Sequence, residues 1–149
     1  YHDCILKNTV LEEGGDATIV CYGAMVSEAI AASDMLAQEG ISLEIVKLWQ
    51  LAPLDLSLVQ ESTRKTGRLI VLEEDVRQGC LGQEILAGLA LLGAEPKQVR
   101  LMNLGDNFVT HGSVPQLRRT WRIDAQAVYE TVKELKGVEK RTTGRTAAE

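Results

Sequence analysis

Three consecutive acids, Glu73-Glu74-Asp75, stand at the end of the most strand-like stretch of the chain, and the turn Gly79-Cys80-Leu81-Gly82 follows them. Carboxylates in a row can hold a metal ion or share acid–base work. Successive strand residues point to opposite faces, however, so Glu73 and Glu74 do not readily serve one site. A helix-capping, interface or solvated role is the expectation for these acids. The glycine turn precedes a predicted helix, whose free N–H groups would attract a phosphate. It is neither G-x-G-x-x-G nor a P-loop with its lysine, and the neighbouring acids would repel an anion. Two uses of Gly79 and Gly82 stand: tight backbone geometry and anion binding. His111 is the only histidine well inside the domain, in a loop with Asp106, Phe108 and Ser113. Histidine is the favoured base near neutral pH, but an adjacent serine does not make a triad. Cys4, Cys21 and Cys80 lack C-x-x-C spacing, so neither a disulfide framework nor a zinc site follows. The three read as buried, reduced thiols, Cys21 as a small buried hydrophobe, and Cys80, on its loop, is the one to test for reactivity. No complete catalytic constellation emerges, which points to a domain supporting chemistry carried elsewhere.

The elements that must position these residues follow from composition and pattern. The chain has 149 residues, 45% hydrophobic and 25% charged, the balance of one globular domain. A chain of this size buries roughly 68–70% of its unfolded surface, enough for a core without metal or disulfide staples. A net charge of −5 argues against nucleic acid as a partner. No apolar run approaches the roughly 20 residues of a membrane helix, and no signal-peptide pattern opens the chain. Reduced thiols fit a cytoplasmic protein.

A weak strand signal covers Cys4–Leu11, and Ala17–Tyr22 reads as a buried strand broken by Gly23. A helix is predicted over Met25–Glu39, ended by Gly40, then a strand over Leu43–Leu48. After Pro53, Asp55 or Ser57 can cap a helix to Thr66 that Gly67 closes. Arg68–Glu74 is a strand, Leu81–Leu92 a helix ended by Gly93, and Val99–Leu104 a further strand. A short helix is expected near Pro115–Thr120, and Asp124 caps the last one, which buries Val128, Val132 and Leu135. From Glu139 to Glu149 the chain is polar and expected to be disordered. Residues 1–138 thus form one domain and 139–149 a tail. Alternating strands and helices imply a mostly parallel sheet covered on both faces, a three-layer α/β/α fold. Ligands of such sheets bind outside the carboxyl ends of the strands, here Tyr22–Ala24, Trp49–Asp55, Glu73–Gly82 and Gly105–Gly112. Trp49 and Trp121 are large anchors suited to a subunit interface or to the core.

Three stretches in order resemble the C-terminal domain of the transketolase family: Glu13–Gly23, Val46–Asp55, and Thr66–Asp75 with Gly79–Gly82. The stretch Leu104–Ser113, with Asp106, Phe108, His111 and Gly112, resembles the 1-deoxy-D-xylulose-5-phosphate synthase type. The chain departs from that type at Trp49–Ala52, Gly105 and Thr120–Arg122. The resemblance implies a five-stranded mixed sheet with one antiparallel edge strand, assigned to Cys4–Leu11. It also implies a share in condensing pyruvate with glyceraldehyde 3-phosphate for isoprenoid precursors. Thiamine diphosphate and Mg²⁺ would be held in upstream domains or a partner subunit, not by this chain alone. This domain would support a homodimer, with no catalytic residue of its own and no turnover in isolation. Two other readings fit the residues: the C-domain of a 2-oxoacid dehydrogenase β subunit docking an acyltransferase core, and a stand-alone ligand-binding module.

Overall fold

The computed structural model describes residues 7–74, 80–104, 118–119 and 122–146, with side chains up to Gly137 in the last stretch. Four strands run parallel: β2 (Ala17–Cys21), β3 (Leu43–Lys47), β4 (Arg68–Leu72) and β5 (Gln98–Met102). The central ones read as nearly unbroken apolar runs, ATIVC, LEIVK and RLIVL, as strands covered on both faces must. β1 (Thr9–Glu12) pairs antiparallel with β3 and closes one edge, in the order β1-β3-β2-β4-β5. This is the five-stranded mixed sheet that the resemblance implied. Its antiparallel strand begins at Thr9, within the N-terminal segment assigned to it.

Because side chains alternate along a strand, each strand feeds two cores. Ile19, Cys21, Ile45, Ile70 and Leu72 meet α1 (Met25–Ala37) and α4 (Ala125–Thr146) through Met25, Ala29, Leu36, Val128 and Val132. Val20, Val46, Leu69 and Val71 meet α2 (Ser57–Thr66) and α3 (Leu81–Leu91) through Val59, Ile85 and Leu89. The strand order reverses direction once, between the step from β2 to β3 and the steps on to β4 and β5, which places α1 on one face and α2 and α3 on the other when every crossover keeps the same hand. α2 ends on Gly67 in the left-handed conformation (φ 74°), closed by its N–H donating to the Thr63 carbonyl. Asp124 caps α4 by accepting the Ala127 N–H at 3.0 Å. The N-cap position of α2 falls on Leu56, with no side-chain cap, rather than on Asp55 or Ser57; Asp55, one residue earlier, accepts both the N–H and the hydroxyl of Ser57, at 2.9 and 2.6 Å. α4 runs on through Glu139, where the sequence marks the start of a polar tail, to Thr146. The short helix expected near Pro115–Thr120 lies mostly outside the described residues. Among the described residues no helix is long and apolar enough to cross a membrane.

Carboxylates pin the amino-terminal end of the sheet. Asp16 accepts from the Lys136 ammonium at 2.6 Å and the Ser42 N–H at 2.8 Å, tying α4 to the turn before β2. Glu44 is buried in β3 and accepts from Lys65 on α2 and from the Gly14 N–H. Burial pushes both carboxyls up, but the bonds from Lys136 and Ser42 to Asp16, and from Lys65, Ser62 and Gly14 to Glu44, outweigh it. Both are held below their ordinary values of 3.8 and 4.5. With the folded values lowered, the stabilisation is present above the unfolded values and is lost as pH falls through the folded ones. Unfolding free energy from urea titrations is therefore expected to hold steady from neutral pH to about 5 and decline below it. Glu44→Gln should flatten part of that decline; an unchanged acid limb would show that Glu44 does not contribute to it.

Candidate functional site

At the carboxyl ends of the strands, β2 leads to α1 on one face while its neighbour β4 leads to α3 on the other. Between two such strands an open α/β sheet forms its crevice, the usual place for a ligand. Here the residues that follow the two strands meet across it. Glu73, one residue past β4, is 1% exposed. Its Oε1 accepts the Leu81 N–H at 2.9 Å and its Oε2 the Gly82 N–H at 2.8 Å, the first turn of α3. From the β2 side the Tyr22 hydroxyl donates to the same Oε1 at 3.2 Å.

Each partner solves the other's problem. A helix leaves its first N–H groups unpaired and carries about half a positive charge at that end. A carboxylate removed from water needs donors and a compensating charge. Cys80 holds the N-cap position in extended backbone but makes no side-chain cap, so the cap comes from the strand instead. The fit demands a glycine: a Cβ on Gly82 would stand 2.8 Å from Leu101 Cδ2 and 3.1 Å from Glu73 Oε2. Gly82 thus serves close packing against β5 and the capping carboxylate. The two described N–H groups that a phosphate would seek are already occupied.

Glu74 turns the other way, out to solvent, as alternation along the chain requires. It accepts from Arg118 at 3.3 Å, and the same guanidinium reaches Glu28 on α1 at 3.3 Å. The second oxygen of Glu28 accepts the Ala125 N–H at 2.8 Å, so α1, the end of β4 and the start of α4 share one charged junction. Of the candidate residues, the structure brings Glu73 and Gly82 together and sets Glu74 apart. Asp75, Gly79, Asp106 and His111 lie outside the described residues, as do Cys4, Ser113 and Trp121. Tyr22 stands where the strand reading put it, but its bond to Glu73 is a tertiary fact with no local signal. Arg118 had no signal at all.

Cys80, the thiol to test for reactivity, is 2% exposed, packed where α3 begins, with the Asn103 amide 3.9 Å from Sγ, as the buried reading of the thiols expects. Burial pushes its thiol up, away from the thiolate that reactivity needs. Cys21 is buried as expected, its thiol raised by burial to about 12.

The chain matches the family model described as "Transketolase, C-terminal domain" over residues 7–128. It is 38% identical over 129 residues to a 1-deoxy-D-xylulose-5-phosphate synthase of Heliobacterium modesticaldum, a match covering 87% of this chain and 20% of that protein. It is also 38% identical, over 119 residues, to the corresponding synthase of Thermomicrobium roseum, covering 80% of this chain and 19% of that protein. A solved structure described as a split gene transketolase, an inactive β4 tetramer, aligns with a TM-score of 0.73 at 36% identity, over 86% of this chain and 41% of that one. The chain therefore spans about a fifth of the length of the curated relatives that it matches.

The lock at α3 makes a direct prediction. Glu73→Gln keeps the shape but sets an amide N–H₂ against the helix N–H groups. It should cost about 1.5–3 kcal/mol, the range for hydrogen bonds to a charged group. Gly82→Ala should cost about 1–3 kcal/mol by overpacking. Urea unfolding followed by circular dichroism measures both; a Glu73→Gln protein as stable as the parent would remove the lock from the account.

Proposed function

This chain belongs to the transketolase C-terminal domain family, and from that premise we propose its role. It is the C-terminal domain, or a separate small subunit, of a thiamine-diphosphate-dependent synthase of the 1-deoxy-D-xylulose-5-phosphate type. That enzyme would act on pyruvate and glyceraldehyde 3-phosphate as a cytoplasmic homodimer, and this domain would brace it without supplying a reacting group. One observation carries the reading: the crevice where an α/β sheet would hold a ligand is filled by the chain's own Tyr22 and Glu73, locked onto α3.

The described residues do not fit thiamine diphosphate at the helix end that would suit it. The N–H groups at the start of α3 are saturated by a carboxylate, and Glu74 adds a second negative charge nearby. A diphosphate would meet repulsion there rather than donors. The cofactor and Mg²⁺ are accordingly assigned to the region that precedes this domain in such enzymes. The contribution of this chain is positional: reacting groups must be held within a fraction of an ångström, and a braced domain removes that freedom.

Reconstitution tests this. The chain is mixed with the separately expressed cofactor-binding region from the same source, together with thiamine diphosphate, Mg²⁺, pyruvate and glyceraldehyde 3-phosphate. Product is followed by mass spectrometry. Deoxyxylulose phosphate is expected only when both parts are present. Equal product without this chain, or product from this chain alone, would overturn the reading.

A further inference from the structure

β3 ends at Lys47 and the buried Leu48 follows it; the chain then runs exposed from Trp49 through Pro53. Four of these five residues, Trp49, Leu51, Ala52 and Pro53, are apolar. Trp49 is 44% exposed and Leu51 37%. An exposed run this apolar, interrupted only by Gln50, is unfavourable in water and suits a surface that something else covers. The run is also held in place. The Lys47 ammonium lies 3.5 Å from the centre of the Trp49 ring. The N–H groups of Trp49 and Gln50 both donate to Asn8 Oδ1, at 3.0 and 3.4 Å, and Asn8 Nδ2 donates to the Asp55 carbonyl at 3.3 Å. One side chain thus spans the loop from Trp49 to Asp55. An aromatic held this way loses little freedom on burial, the property of an interface anchor.

The same bonds say what arrives there. β1 is antiparallel to β3 with Thr9 opposite Lys47, so the chain enters the sheet at the end where β3 leaves it. Asn8, the residue before β1, is bonded to the loop itself. Polypeptide leading into this domain is therefore delivered beside Trp49. The matched relatives are about five times as long as the matched segment, and the matched family is that of a C-terminal domain. Resting on the proposed function, we propose that Trp49, Leu51 and Pro53 form the docking surface for the cofactor-binding portion that precedes this domain, whether joined to it or supplied as a separate subunit. Asn8 sets both the conformation of the loop and the point of entry, so anchor and connection are presented together.

Titration of the cofactor-binding region with this chain, by calorimetry and by the fluorescence of Trp49 in a Trp121→Phe background, tests the assignment. Docking should shift the Trp49 emission to shorter wavelength and shield it from acrylamide. Trp49→Ala combined with Leu51→Ala should weaken association by about 30-fold or more, the effect of losing one anchor. Circular dichroism and the urea midpoint of the isolated variant should stay unchanged, since both side chains are half in water. Leu91→Ser serves as the control: that leucine is 90% exposed at the far end of α3 and should leave binding intact. Association and turnover that survive the double substitution would overturn this surface while leaving the bracing role standing. Equal loss from Leu91→Ser would also overturn it. A parent chain that self-associates through Trp49, becoming monomeric on substitution, would give the face to a second copy and overturn it too. Failure of the unaltered chain to bind the cofactor-binding region at all would overturn the bracing role, and the docking surface with it.

Discussion

The carboxylate of Glu73 is nearly sealed from water and is met by a tyrosine hydroxyl and two backbone N–H groups, and it is the N-terminal end of α3 that makes this tolerable. An isolated buried carboxylate would be expensive. Two helix N–H groups and a tyrosine hydroxyl supply donors, and the helix end supplies positive potential. The arrangement then dictates its surroundings. α3 must start within reach of the residue that follows β4, and Gly82 must lack a side chain so that Leu101 of β5 can close over it. Tyr22 must reach across from β2. Three neighbouring strands and one helix are thereby fixed relative to one another at the end of the sheet where α/β folds are usually open.

The opposite end is organised differently. There Asp16 and Glu44 gather Lys136, Lys65 and backbone N–H groups around the turn before β2 and the face of α2. These pairs are partly exposed, and exposed pairs contribute little each. The two apolar cores carry most of the stability, as buried area generally does. The ion pairs set which helix lies where and couple the arrangement to acid. Glu73 differs in being nearly excluded from solvent, so salt screens it weakly.

Much of the fold was legible because the strands are buried on both faces and glycines punctuate them. Ala17–Cys21 and Arg68–Leu72 stand out as β-branched and leucine runs with Gly15, Gly23 and Gly67 at their margins. Asp124 and Gly67 sit where helix ends require them. The capping of α3 was legible only as a residue type. Alternation separated Glu73 from Glu74, yet nothing local says that a carboxylate eight positions before Leu81 folds back onto its N–H. That depends on how strand and helix pack, as do the hydroxyl of Tyr22 and the guanidinium of Arg118, whose partners lie 51 and 90 positions away. That Cys80 is buried beside a glycine turn follows the same rule: a glycine neighbour describes local backbone, while exposure is decided by what the helix start packs against.

Among the described residues, the crevice between β2 and β4 is bridged by Tyr22 and Glu73. The antiparallel β1 brings the chain into the sheet at the carboxyl edge, and at that edge β3 releases the Trp49–Pro53 run. With Asn8 bonded to both, connection and exposed apolar surface become one feature of the architecture rather than two. Glu73, just past β4, ties the residue after β2 to the start of α3 at the same end of the sheet. Rigidity has a physical use here, because a surface that does not reorganise on contact spends less of its binding energy on ordering itself. Bridging the crevice between β2 and β4 and exposing the loop after β3 are thus compatible, because the two features draw on different strands of one sheet.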